Sequence, residues 1–400
     1  MNFLLTAGRC FITEKYKHTI LIQILKSITY KNTNMKTRFF FLLIFVLATL
    51  NSNMACNEET AIPDPTIELK YQSDNPISDL VLIYDGGLHR QPWTIERMRP
   101  YVYRENAGKT EFLFDGFLFL EIFDSKKNIE YYPGYKKNSA PKADWLSLLD
   151  TYFDDQKSLG ALETVLDELA KKGQTPLRKR KVVISIPTPI NGFTGWGSIG
   201  ERALDFNTLE DQIAAEKWFI DEALQRWEAK NYKHIELVGF YWVDEDAGNY
   251  ENAMKLTKQY VSIKGKKFYW IPYWKATGGE KWKELGFDYA YEQPNYFFNT
   301  TTPYSRLTDA CAFGGKYGLG MEMEFDYRVS QSDFKTRFDD YVKAFTENNI
   351  WKLRPVAYYE GGGAWGGMAT STNAELKKMY QTLGDIIVER QKQTDERSKK

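Results

Sequence analysis

Gly318-Leu-Gly-Met-Glu-Met-Glu-Phe-Asp326 is bounded by glycine on one side and a polar turn on the other. A short run of this kind reads as a strand leading into a helix. Side chains along a strand alternate between two faces, so Glu322, Glu324 and Asp326 share one of them. Taking an unpaired carboxylate out of water is costly or drives its pKa upward. A strand with three acids on one face is therefore not an ordinary core strand. It must look onto something polar, and the mouth of a cavity is the natural place.

Outward from this stretch the chain repeats strand then helix. Strands are expected at 80–85, 114–123, 181–187, 235–243, 267–273, 287–292, 319–325 and 356–360. Helices are expected between and after them, at 94–103, 144–172, 209–231, 250–263, 279–285, 305–316, 333–348 and 373–391. The stripe Leu209, Ile213, Ile220, Leu224 and Trp227 has helical spacing behind the cap residue Thr208. Eight such units match an α/β protein of the (β/α)8, or TIM barrel, class. A doubly wound open sheet would carry a Gly-rich phosphate loop after its first strand, and Asp85-Gly-Gly-Leu-His-Arg90 lacks that spacing.

On a barrel, active sites form where strands run into the following loops. Those ends carry Asp85, Glu121 and Asp124, Asp244-Glu245-Asp246, Glu292, the acids of 322–326, and Glu360. Aromatic residues accompany them: Trp196, Tyr241, Trp242, Trp274, Tyr296 and Trp365. Aromatic rings stack on the C–H faces of sugars, while carboxylates hold hydroxyls and move protons. Cleavage of a glycosidic bond needs an acid for the leaving oxygen and a second carboxylate as nucleophile or base. Strands four and seven face each other across such a mouth, which selects Glu245 as acid/base and Glu324, or its neighbour Glu322, as partner. Asp85, Glu121, Asp244, Glu292, Asn295, Asp326 and Glu360 are then candidates for holding sugar hydroxyls. Trp242 and Trp274 lie on expected strands, where an aromatic is more often core. Trp196 and Trp365 lie in glycine-rich loops and are the better platforms.

The N-terminus reads as a processing signal. Met35-Lys-Thr-Arg38 is basic, 39–50 is apolar and Asn53-Met-Ala-Cys56 closes it, the layout of a bacterial secretory signal. The apolar run is too short to span a bilayer. Cys56 resembles a lipoprotein lipidation site, so residues 1–34 read as a mis-assigned leader, 35–55 as signal and 56–77 as anchor and tether. The barrel would then span 78–391 and a disordered tail 392–400. Removing the first 55 residues, with their seven Lys or Arg and one Glu, leaves a net charge of about −6. That balance argues against a nucleic-acid partner. Cys311 is then the single remaining thiol besides Cys56, and His89 and His234 the remaining histidines, which excludes a zinc site built on several histidines. The basic run Arg178-Lys-Arg-Lys181 reads as a solvated face at the closed end of the barrel.

Three motifs then resemble a known family. Gly239-Phe-Tyr-Trp-Val-Asp-Glu245, Glu292-Gln-Pro-Asn-Tyr-Phe297 and Gly320-Met-Glu-Met-Glu-Phe-Asp326 are similar to those of bacterial, often lipid-anchored proteins known as domain of unknown function 4855. The resemblance covers about residues 78 to 390 and implies a glycosidase-type barrel associated with carbohydrate use. It brings no settled catalytic assignment. Better-known glycosidase barrels end strand four in Asn-Glu, where this chain has Asp244-Glu245. The expectation is a lipoprotein at the outer membrane, held there only by its lipid, that cleaves a glycosidic bond with no organic cofactor and no metal. The alternatives are a non-catalytic glycan-binding lipoprotein on the same barrel and, more weakly, a hydrolase using a metal such as calcium on the acidic rim.

Overall fold

The computed structural model describes residues 72–136 and 138–399. The leader, the signal stretch, Cys56 and most of the tether lie outside the described residues. Eight strands close into a parallel barrel: β1 (Asp79–Tyr84), β2 (Gly116–Leu120), β3 (Arg180–Ile186), β4 (Ile235–Trp242), β5 (Lys267–Trp270), β6 (Tyr289–Glu292), β7 (Gly320–Asp326) and β8 (Val356–Gly361). Each strand pairs with the next in sequence, and β1 pairs with β8 to close the ring. All eight coincide with the expected strands.

Around them run α1 (Ile95–Val102), α2 (Lys142–Tyr152), α3 (Ser158–Lys171), α4 (Leu209–Lys230), α5 (Glu251–Ile263), α6 (Ser305–Tyr317), α7 (Ser332–Glu347), α8 (Ile350–Leu353), α9 (Ala364–Thr370) and α10 (Ala374–Arg397). The helix expected over 144–172 is two helices, because the chain turns at 153–157 and Ser158 has φ of 52°. Between β5 and β6 only the short 3-10 turn Gly279–Lys281 forms where a helix over 279–285 was expected. Among the described residues, no helix is long and apolar enough to cross a membrane.

Packing follows the two-residue period of the strands. Leu80, Leu82, Leu118, Leu120, Val183, Tyr241, Tyr269, Tyr289, Tyr291 and Ala357 fill the barrel interior. The alternate positions, such as Val81, Phe117, Ile184, Trp242, Trp270, Met321 and Tyr358, pack outward into the shell of helices. The two glycines at the entry to β7 have separate reasons. Gly318 caps α6 at φ of 74°, a left-handed conformation. A Cβ on Gly320 would sit 2.6 Å from the Tyr291 ring and 2.8 Å from the Pro355 carbonyl, so the strand can enter the barrel there only without a side chain.

The base of the barrel corrects three expectations. Residues 72–77 are docked: Gln72 donates to the carbonyls of Ala290 (2.7 Å) and Gly318 (3.1 Å), and Asn75 donates to the Tyr291 hydroxyl at 3.0 Å. The run 178–181 is not a solvated face. Arg178 bridges Asp115 at 2.9 Å and Asp395 at 2.7 Å, and Arg180 is buried. The tail is helical to Arg397, since Arg390 is tied to Asp79 at 2.6 Å and Gln391 donates to the same carboxylate at 2.8 Å. Sequence shows a run of charges; only the fold reveals that Asp115, just ahead of β2, and Asp395 of α10 come to meet Arg178.

One buried acid sits in the helix shell away from the mouth. Glu216 of α4 is fully buried, accepts from the Thr257 hydroxyl of α5, and its Oε1 has no partner. Burial pushes its carboxyl from near 4.5 up to about 8, only partly offset by Thr257. A pKa raised in the fold gives stability that is complete below the unfolded value and is lost as pH rises through the folded one. Glu216→Gln is therefore expected to match the parent near pH 4 and to exceed it by a few kcal/mol (order of magnitude) at pH 9. Urea unfolding at the two pH values reads this; equal pH dependence in parent and variant would contradict it.

Candidate active site at the barrel mouth

β7 places Glu322 opposite Ala357 and Glu324 opposite Tyr359, both partners belonging to or packed against the interior cluster. Glu322 and Glu324 thus face the lumen near its open end, and both are buried. Glu245 follows β4 in the loop after Val243 and keeps partial exposure. The three acids feel one another. Burial, then the charge of Glu324, then Asp244 push Glu245 to about 8. Burial, Glu324 and Glu245 hold Glu322 well above the usual carboxylate range.

Glu324 differs from its neighbours in its donors. It is raised by burial to about 7, against the pull of hydrogen bonds that favour its ionised form. The Tyr341 hydroxyl of α7 donates to Oε2, the Tyr296 N–H reaches the same oxygen at 3.2 Å, and the Gln293 amide donates to Oε1 at 3.3 Å. Of the coupled acids, Glu324 is the one the fold equips to be an anion. Asn295 makes this possible by taking a left-handed turn at φ of 50°, which aims the next N–H back at the carboxylate. Tyr296 is anchored in turn by donating to Asp340 at 2.6 Å.

The other sequence candidates divide. Tyr241 faces the lumen, and its hydroxyl feels Glu245 and Glu322. Asp244 is buried, caps the turn through the Asp246 N–H at 3.1 Å, and is raised by burial to about 7. Glu292 ends β6 one position beyond lumen-facing Tyr291, on the outward register; its Oε1 has no partner, and burial plus Glu324 lift it to about 9. Asn295 and Tyr296 position Glu324, and the Tyr296 ring packs edge-on against Tyr341 in the outer cluster.

Four acids read as substrate holders are engaged in building loops. Asp85 is buried, accepts from the Ser158 hydroxyl and the Gly86 N–H, and sits at about 6 because of burial. Glu121 is clamped by Arg90 at 2.8 and 2.7 Å and takes the Gly87 N–H. Asp326 is paired with Arg328 at 2.6 Å. Glu360 accepts the Trp365 N–H at 3.0 Å, capping the turn into α9, and burial raises it to about 7.

Two aromatic expectations are overturned. Trp196 is 1 % exposed and packs edge-on against Trp145 and Trp218, so the glycine-rich loop folds its ring into the core. Trp365 is fully buried, and its indole N–H donates to the Pro100 carbonyl at 2.7 Å. Trp242 is core as well, against Phe268. Trp274 is half-buried, between Phe313 and the guanidinium of Arg306. Rings that sequence reasoning passed over line the mouth instead: Tyr84 and Tyr359 meet edge-on at 5.5 Å, and Tyr132 packs among the interior residues. The cluster Tyr131-Tyr-Pro-Gly-Tyr135 was the available signal for the last of these. Among the described residues, no group of three or more His, Cys, Asp or Glu side chains is arranged to hold a metal ion.

A closed parallel barrel whose lumen gathers coupled glutamates and tyrosines at one end defines the class: a (β/α)8 protein with an acidic, aromatic mouth. More narrowly, the chain belongs to the family described as Domain of unknown function (DUF4855), whose model matches residues 79–385. No curated protein matches the chain. Solved structures similar to it include a provisionally assigned alpha-L-fucosidase from Bacteroides thetaiotaomicron, at 13% identity and TM-score 0.40, covering 78% of this chain and 94% of that one. An endo-1,4-beta-mannanase from Rhizomucor miehei aligns at 11% identity and TM-score 0.39, covering 68% and 86%. The carboxyl transferase domain of Rhizobium etli pyruvate carboxylase aligns at 10% identity and TM-score 0.33, covering 83% and 49%. At these values the likeness carries nothing about activity.

Proposed function

We propose that the chain is a glycoside hydrolase acting on a poly- or oligosaccharide. One observation carries the reading: Glu245 after β4 and Glu324 on β7, far apart in sequence, are close enough at one mouth for Glu324 to raise the pKa of Glu245. In this reading Glu245 protonates the leaving oxygen and Glu324, held by its three donors, is the nucleophile or base. Glu322, pushed well above the usual carboxylate range by burial and by the charges of Glu324 and Glu245, stays neutral beside them. The test is a polysaccharide panel offered to the protein from Cys56 onward; sugar release by the parent is required, and its absence across the panel counts against hydrolysis.

The reaction also has an expected pH dependence. The base must be ionised, so activity falls below the value near 7 for Glu324. The acid must be protonated, so activity falls above the value near 8 for Glu245. A bell-shaped kcat/KM profile with its maximum between these limbs is expected, the limbs belonging to the coupled cluster rather than to single residues. A profile flat from pH 5 to 9 would disagree.

A second reading has its own support. Both oxygens of Glu324 are already engaged and the side chain is buried, as suits an acid that shapes a binding cavity. A glycan-binding protein without catalysis would retard on affinity gels, release no sugar, and do so equally after Glu245→Gln. Export and lipid anchoring at Cys56 complete the proposal, resting on the signal-like stretch 35–56. Movement of Cys56→Ser from the detergent to the aqueous phase is the outcome expected of an anchored parent.

A further inference from the structure

The loop after β2 folds back over the mouth. Its short strand Ile129–Glu130 pairs with Phe123–Asp124, and the Thr188 N–H after β3 donates to the Tyr131 carbonyl at 2.8 Å. Tyr132 is driven into the lumen beside Tyr241 and Val243, the residues that lead to Glu245. Beyond it, Pro133-Gly134 turns the chain at a glycine φ of 112°. The turn is held rigidly: one oxygen of Glu130, Oε2, accepts the N–H groups of Gly134 at 3.1 Å, Tyr135 at 2.7 Å and Lys136 at 2.7 Å. What this turn presents is Tyr135. Its ring stacks on Phe123 at 5.5 Å and 15°, and Phe123 stacks on His89 at 5.0 Å and 8°. Tyr135 is thus the end ring of a column, and 43 % of it is open to solvent. The hydroxyl bonds that of Tyr132 at 3.2 Å, and both hydroxyls lie within the field of Glu245 and Asp244.

The ring is held on one side by Phe123 and Tyr132 and stays open on the other, and three N–H bonds to one carboxylate oxygen fix the turn that carries it. A pre-set ring costs little entropy when a ligand lies on it. From this geometry we infer that Tyr135 is the platform of a sugar-binding subsite adjoining Glu245, taking the apolar face of a pyranose ring of a chain longer than one sugar. Glu130 is its positioning residue. The inference rests on the carbohydrate reading above and adds where the chain extends from the acids.

The test uses the Glu245→Gln protein, so that ligand is not consumed, and any polysaccharide of the panel that the parent cuts or that retards it. Calorimetry with oligosaccharides of increasing length from that polymer is then compared in Tyr135→Ala, Tyr135→Trp and Glu130→Ala versions. Expected is a loss of affinity on the order of tenfold in Tyr135→Ala, confined to oligosaccharides above a threshold length. Tyr135→Trp should retain binding, and Glu130→Ala should weaken it over the same lengths while thermal unfolding confirms a folded protein. If Tyr135→Ala binds every length as its background does while the parent cuts the polymer, the subsite is overturned and the hydrolase reading stands. If the parent neither binds nor cuts any glycan, both are overturned.

Discussion

Glu245→Gln is expected to lower kcat on a polysaccharide by on the order of 10²–10⁴-fold, the usual worth of a positioned acid/base. The amide keeps the size and position of the side chain and cannot give up a proton at neutral pH. Glu324→Gln should cost at least as much, because of the coupled acids Glu245, Glu322 and Glu324 it is Glu324 whose two oxygens accept hydrogen bonds that favour the ionised form. The double variant should be little worse than either alone, since the two act in one step. Unfolding is not the cause of such a loss. At pH 8 the fold holds carboxyls whose pKa burial has raised, and a neutral amide relieves that cost. Both single variants should therefore melt at or above the parent temperature. Parent-like turnover by Glu245→Gln on an unactivated substrate would remove it from the chemistry.

Arg390→Met carries the second large effect, at the other end of the barrel. The guanidinium donates to Asp79 at 2.6 Å and to the carbonyls of Ser78 at 2.7 Å and Arg354 at 3.1 Å, with Trp351 also in reach. It thereby fastens α10 to the first and last strands, where the ring closes. Methionine fills similar volume but leaves the fully buried Asp79 without its cation. Breaking a buried pair in this way costs about 3–5 kcal/mol. Urea unfolding should show a midpoint lowered accordingly, with an unchanged slope. Changing Asp79 to Asn as well should recover part of the loss, since the stranded charge is the main penalty. A midpoint equal to the parent's would mean that α10 is not part of the barrel's cooperative unit.

The barrel was legible because its strands carry strong local signals. Val182–Ile186 is short and rich in β-branched residues, and Gly320–Asp326 alternates apolar and acidic side chains ahead of a polar turn. Their number and alternation with helices leave few topologies. The acids were legible for a related reason: Glu322 and Glu324 on one face of a buried strand have no cheap structural explanation. The errors came where local sequence is silent about partners. Trp196 and Trp365 sit in glycine-rich loops that look exposed, yet Trp145, Trp218 and Pro100 come from distant elements to cover them. Asp326, Glu121 and Glu360 look like free acids until Arg328, Arg90 and the Trp365 N–H are found beside them.

By itself the sequence determined the periodicities, and with them the eight strands, most of the helices and the face on which each β7 acid lies. Those properties depend on neighbours a few residues away, where spacing along the chain is spacing in space. Only the tertiary structure decided which acids share a mouth, which are tied up in loops, and that Tyr135, not Trp196, stands open at the rim. Desolvation, charge coupling and ring exposure are set by atoms from remote parts of the chain, and ring closure alone brings those atoms together.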